Sequence, residues 1–178
     1  MRKNKIDFIV KVGAFAAIAF VLQIIGSMMA IKVAGFLEVE ISDLPAMIIA
    51  FAMGPIAGIA VEFIKNLLHL TVSSTGFVGE LANFVINGVF VCVCGLVYRR
   101  MRTKKGAVIA LAVATLVMTA ISVLVNCLVM LPLYMPQAVF SERLSLAIYT
   151  IAPFNFVRGS VLSVITILIY KRISGLLK

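Results

Sequence analysis

The stretch ISDLPAMIIAFAMGPIAGIAVEFIKNLLHL, residues 41–70, decides the fold. It holds two apolar runs, 44–53 and 56–70, separated by Gly54 and Pro55. Both are shorter than the roughly 20 apolar residues a helix needs to cross a hydrocarbon core of about 30 Å. At 1.5 Å per residue the first run extends only about 15 Å. Read as one helix kinked at Pro55, the stretch crosses a bilayer once. Read as two helices, it crosses and returns.

The rest of the chain chooses between these readings. Further apolar runs occupy residues 8–31, 78–98, 106–131 and 153–170, so the count is either five or six crossings. Six crossings put Arg2, Lys3, Lys5 and Lys11, the cluster Arg99, Arg100, Arg102, Lys104 and Lys105, and the tail Lys171, Arg172 and Lys178 on one side. Basic loops stay cytoplasmic, and only Lys32 and Arg143 are then left outside. Five crossings would send the central basic cluster outside, against that rule. The expectation is an all-α membrane protein of six transmembrane helices with cytoplasmic N- and C-termini, forming a single integral membrane domain over residues 1–178. The segment VAGFLEVEI, residues 33–41, is expected to be an extracellular lid loop after helix 1. Ser42 is placed as the N-cap of the second helix, with Pro45 in its first turn.

Composition agrees. The chain is 63% hydrophobic and only 13% charged, which excludes a soluble fold. Its net charge of +9 reads as a record of membrane orientation, not as a nucleic-acid footprint. Cys92, Cys94 and Cys127 lie inside apolar runs and read as small packing residues. The four tyrosines, Tyr98, Tyr134, Tyr149 and Tyr170, fall at span ends or in loops, as in an interfacial belt. The basic N-terminus before the first run looks like a signal peptide, but the run is too long and no cleavage site follows. It is kept as the first spanning helix.

Ionisable groups inside a membrane are costly and are functional candidates. Glu62, Lys65, Asn66 and His69 fall at i, i+3, i+4 and i+7, on one face of the third helix. Glu80, Asn83 and Asn87 repeat the pattern on the fourth. Asn126 lies six residues before Pro132 in the fifth, while Asn155 and Arg158 lie one turn apart early in the sixth. Under the assigned topology these groups share the outer half, beneath a loop carrying Glu38, Glu40 and Asp43. They outline a pocket open to the outside. The candidate ligand-binding residues are Asn126, Asn155, Arg158, Glu38, Glu40, Asp43, Asn83 and Lys65. For Glu62 and Lys65 two readings stay open, ligand binding and simple pairing between helices.

His69 has no His or Cys partner at ligand spacing, so no metal site is expected. No G-x-S-x-G, H-E-x-x-H or phosphate-binding loop occurs, so no enzyme activity is expected and ATP hydrolysis would have to come from a partner. Small residues recur at four-residue spacing: Ala46, Ala50, Gly54 and Gly58, and Ala110 with Ala114. These read as internal packing. The small face of helix 1, Gly13, Ala16 and Ala17, is instead expected to dock a partner helix.

Residues 41–70 together with STGFVGELANFVING (74–88), NCLVMLPLY (126–134) and PFNFVRG (153–159) resemble the riboflavin-specific S components of energy-coupling factor (ECF) transporters, and the resemblance covers essentially the whole chain. It implies a six-helix vitamin-binding subunit in a bacterial cell membrane, with the loop after helix 1 lidding an outward pocket. It also implies partners, a transmembrane coupling subunit and two ATPase subunits, with riboflavin as transported ligand and no cofactor. By this resemblance Asn126, Asn155 and Arg158 match positions that contact the flavin or its ribityl chain. The chain departs from the family in carrying Arg158 where lysine is favoured, and Gly13 with Ala17 where the family has Ala-x-x-x-Ala. Riboflavin, with tolerance for its phosphate or analogues, is the implied ligand. The competing reading is a stand-alone secondary transporter of a small polar-aromatic solute.

Overall fold

The computed structural model describes residues 2–29, 32–33, 37–38, 41–73 and 76–173. Helix α1 covers Arg2–Met29, α2 Leu44–Met53, α3 Pro55–His69, α4 Gly76–Arg100 and α5 Lys104–Val125. A π-helical turn, Asn126–Met130, carries α5 into α6, Leu131–Tyr134. Helix α7, Phe140–Leu146, runs through a second π turn, Ala147–Ile151, into α8, Ala152–Ile173. Counting α5 with α6 and α7 with α8, the described residues form a bundle of six helices. Four of them are long and apolar enough to span a membrane. Between α1 and α2 lies a two-residue antiparallel pair, Lys32–Val33 (β1) against Leu37–Glu38 (β2).

Helices α2 and α3 are a hairpin and not one kinked helix. Gly54 adopts φ +97°, a left-handed conformation that glycine enters without a Cβ penalty. Its N–H closes α2 onto the carbonyl of Ala50, and Pro55 then starts α3, where its missing N–H costs nothing. The chain folds back so tightly that a Cβ on Gly58 would lie 2.8 Å from Ala50 Cβ and 2.9 Å from the carbonyl of Ala46, and would also collide with Val91 of α4. Gly95 of α4 admits Pro55 in the same way. In lipid, where apolar tails remove the hydrophobic drive between helices, such close approach is what holds a bundle.

Helix α4 packs between α3 and α5, α1 lies against α3, and α8 closes on α5 and α2. Ala46, Ala50, Ala110 and Ala114 are buried, so the small residues at four-residue spacing serve internal packing. The core is completed by Met47, Ile49, Phe90, Leu111, Met118 and Leu162.

Each π turn sits where a proline forces it. Proline has no N–H and clashes with the carbonyl four residues earlier. Pro132 excludes the carbonyl of Leu128 and Pro153 that of Tyr149, and these positions fall inside the two π turns. The widened turns meet through Cys127, Leu131, Ala147 and Ile151.

Three local expectations are corrected. Asp43, not Ser42, occupies the N-cap of α2, and it caps without a side-chain hydrogen bond because its carboxylate is committed elsewhere. Tyr98 is buried, its ring 4.3 Å from that of Phe51, so it belongs to the core and not to an interfacial belt. Ala16 is 1% exposed and faces the bundle, because it shares the inward stripe of Val12 and Ala19. Gly13 and Ala17 remain on the exposed face of α1.

Candidate ligand-binding site

Antiparallel neighbours bring the late part of α1, the start of α2, the late part of α3, the early part of α4, the end of α5 and the start of α8 to the same end of the bundle. Every buried charged side chain among the described residues lies there, in two adjoining layers.

Asp43 centres the first. Its Oδ1 accepts from Lys65 Nζ at 2.5 Å and from Asn87 Nδ2 at 3.1 Å, and its Oδ2 accepts from Arg158 Nη2 at 2.6 Å. One carboxylate thus ties α2, α3, α4 and α8 together. Lys65 also pairs with Glu62 Oε2 at 2.8 Å and donates to Ser42 Oγ at 3.3 Å. Asn87 Nδ2 donates in addition to Asn83 Oδ1, one turn away on α4. Asn66 Nδ2 reaches back to the Glu62 carbonyl at 2.8 Å. Lys65, Asp43 and Glu62 are fully buried. Burying such charges is tolerable only because each is paired.

Glu80 centres the second. Its Oε1 accepts from Ser73 Oγ at 2.7 Å and lies 2.9 Å from His69 Nδ1, while Oε2 accepts from Gln23 Nε2 at 3.3 Å. Ser27 Oγ stands 3.4 Å from His69 Nε2. This layer joins α1 to α3 and α4. His69 is thus paired within this layer.

Asn126, in the first π turn, and Asn155, in the first turn of α8 after the second, are both buried. Asn126 Nδ2 donates to the Ser122 carbonyl at 2.8 Å and Asn155 Nδ2 to the Ile151 carbonyl at 3.0 Å. Each amide plane is fixed by its own helix, a preorganised placement for meeting a ligand. Arg158 follows Asn155 by one turn of α8 and is itself part of the Asp43 network. Among the described residues, four buried acceptors lack a hydrogen-bond donor: Gln23 Oε1, Glu62 Oε1, Asn66 Oδ1 and Asn87 Oδ1.

The structure thus gathers Asp43, Lys65, Asn83 and Arg158 into one network and sets Asn126 and Asn155 beside the π turns. Glu40 and the side chain of Glu38 lie outside the described residues. Gln23 and Ser27 escape the sequence reading; a glutamine within an otherwise apolar span is the available signal for the first.

Residues 7–170 match the family described as ECF transporter, substrate-specific component. The riboflavin transporter RibU of Staphylococcus aureus (strain TCH60) is 35% identical over 182 aligned residues, spanning 100% of this chain and 95% of that protein. The riboflavin transporter FmnP of Bacillus subtilis (strain 168) is 32% identical, over 93% of this chain and 91% of that protein. A solved S component of a bacterial ECF transporter shares the fold with TM-score 0.83 at 33% identity, across 98% of this chain and 99% of that one. By this family and these relatives the protein is a transport component and not an enzyme. The chain belongs to the substrate-specific components of ECF transporters.

Proposed function

We propose that this protein is the riboflavin-binding subunit of an ECF importer. The observation that carries the reading is full-length similarity to riboflavin transporters at 35% and 32% identity. The site's chemistry supports it. Riboflavin joins a flat, largely apolar ring to an imide edge and a chain of hydroxyls, so it needs aliphatic walls and a few oriented polar groups. Asn126, Asn155 and Arg158 supply those groups, and the buried acceptors of Asn66, Asn87 and Glu62 suit a ligand rich in hydroxyl donors.

In this reading both termini are cytoplasmic, the polar end faces outward across a bacterial plasma membrane, and the segment between α1 and α2, with Glu38 and Glu40, covers the ligand. No cofactor is needed. Energy comes from two ATPase subunits and a transmembrane coupling subunit, and the coupling subunit meets the exposed small face of α1 at Gly13 and Ala17. Purification tests the core of the proposal. The protein should emerge yellow, release flavin on denaturation, and quench riboflavin fluorescence in titration. Colourless protein without a fluorescence response would overturn it.

A further inference from the structure

Among the described residues, the two buried cations at the polar end, Arg158 and Lys65, are already committed to carboxylates. Arg158 Nη2 sits 2.6 Å from Asp43 Oδ2, and Lys65 Nζ lies 2.5 Å from Asp43 Oδ1 and 2.8 Å from Glu62 Oε2. Lys65, Asp43 and Glu62 have no exposed side-chain surface, and Arg158 has 9%. The group is formally balanced, two cations against two carboxylates. We propose that Asp43, assisted by Glu62, is a specificity-determining residue: by masking Arg158 and Lys65 it makes the site select an uncharged flavin over riboflavin 5′-phosphate. The inference rests on the riboflavin reading and deepens it.

The physical argument is one of displacement. A phosphate monoester carries a charge of about −1.5 to −2 at neutral pH. Sites that hold such groups present an arginine fork or several N–H donors to the ligand. Here a phosphate reaching Arg158 or Lys65 would have to take the cation from Asp43, leaving a buried carboxylate with one compensating cation fewer. A neutral ligand with hydroxyl and imide donors faces no such exchange. It can accept from the asparagines' Nδ2 or donate to the buried amide oxygens while the ion pairs stay intact. Selectivity of this kind works by an unfavourable interaction with the competitor, not by extra contacts with the preferred ligand.

The test is a pair of fluorescence titrations, riboflavin and riboflavin 5′-phosphate, on the purified full chain at neutral pH and fixed ionic strength. The wild type should prefer riboflavin. Asp43→Asn keeps the side chain's size and removes its charge, so the ratio of the two dissociation constants should move toward the phosphate by about tenfold, equivalent to roughly 1.4 kcal/mol. Asp43→Glu should retain the wild-type ratio. So should Asp7→Asn, which makes the same change in net charge at an exposed pair with Lys11. Glu62→Gln should shift the ratio in the same direction as Asp43→Asn, and it decides the matter if Asp43→Asn does not fold. A ratio unmoved in every folded variant, or a wild type that binds both flavins equally, overturns this inference alone. A wild type that binds neither flavin removes the riboflavin reading and this inference with it.

Discussion

Asp43 accepts a 2.6 Å hydrogen bond from Arg158 across 115 residues of sequence, and the same carboxylate holds Lys65. The start of α2 is thereby fastened to α8 and α3 through a single buried anion. Losing one member of this buried group should damage the fold more than losing a complete pair. Removing one partner of a buried ion pair costs about 3–5 kcal/mol, because the other charge is left uncompensated, whereas replacing both partners can be nearly neutral. Lys65→Met alone should therefore lower the thermal unfolding midpoint in detergent more than the double change Lys65→Met with Glu62→Gln. Equal or greater loss in the double variant would show that the pair is not the stabilising unit.

The tight turn between α2 and α3 gives a second expectation. Gly58 faces Ala46, Ala50 and Val91 with no room for a Cβ, and two of those neighbours present backbone or an already minimal side chain. Gly58→Val should destabilise the bundle by about 1–3 kcal/mol or more through overpacking. Gly13→Ala should be almost silent in the same melting assay, since a Cβ at that position would meet nothing within 4 Å.

Much of this architecture is legible in residues 41–70. Gly54 with Pro55 marks the break, and the charge distribution argues for two helices. The placement of Glu62, Lys65, Asn66 and His69 on one buried face follows from helical periodicity alone, and all four are buried together. What periodicity does not carry is the partner across the bundle. Asp43 reads as loop beside Ser42, because its three contacts come from residues 22, 44 and 115 positions away. Ala16 falls on the wrong side of α1 for a related reason: a run of small residues looks alike all round the helix, and only the packing of Val12, Ala16 and Ala19 shows which stripe turns inward. The π turns are written in Pro132 and Pro153, yet a proline can equally kink or end a helix.

The two faces of α1 separate folding from assembly. Ala17 is exposed and Ala16 is buried at 1%. Ala17→Trp should leave riboflavin affinity and melting unchanged while weakening co-purification with the coupling subunit. Ala16→Trp should instead lower thermal stability, as a large side chain is forced into the core. If Ala17→Trp abolished flavin binding and left complex formation intact, α1 would be part of the binding core and the docking proposal would fail.

The last expectation concerns the ligand contacts. Asn126 and Asn155 each spend an Nδ2 hydrogen on their own helix, so the two amides are held in place before any ligand arrives. Arg158 is held from the other side by Asp43. Truncating a preorganised hydrogen-bonding group costs about 1–3 kcal/mol, or roughly five- to two-hundredfold in affinity. Asn126→Ala, Asn155→Ala and Arg158→Ala should each weaken riboflavin binding within that range in a fluorescence titration. Arg158→Lys separates charge from shape. A lysine keeps the charge but loses the planar fork of the guanidinium. A mild loss would mean that the cation is what the ligand recognises; a loss equal to that of alanine would mean that the fork is. Unchanged affinity in all three alanine variants would move the binding site away from the π turns and the start of α8.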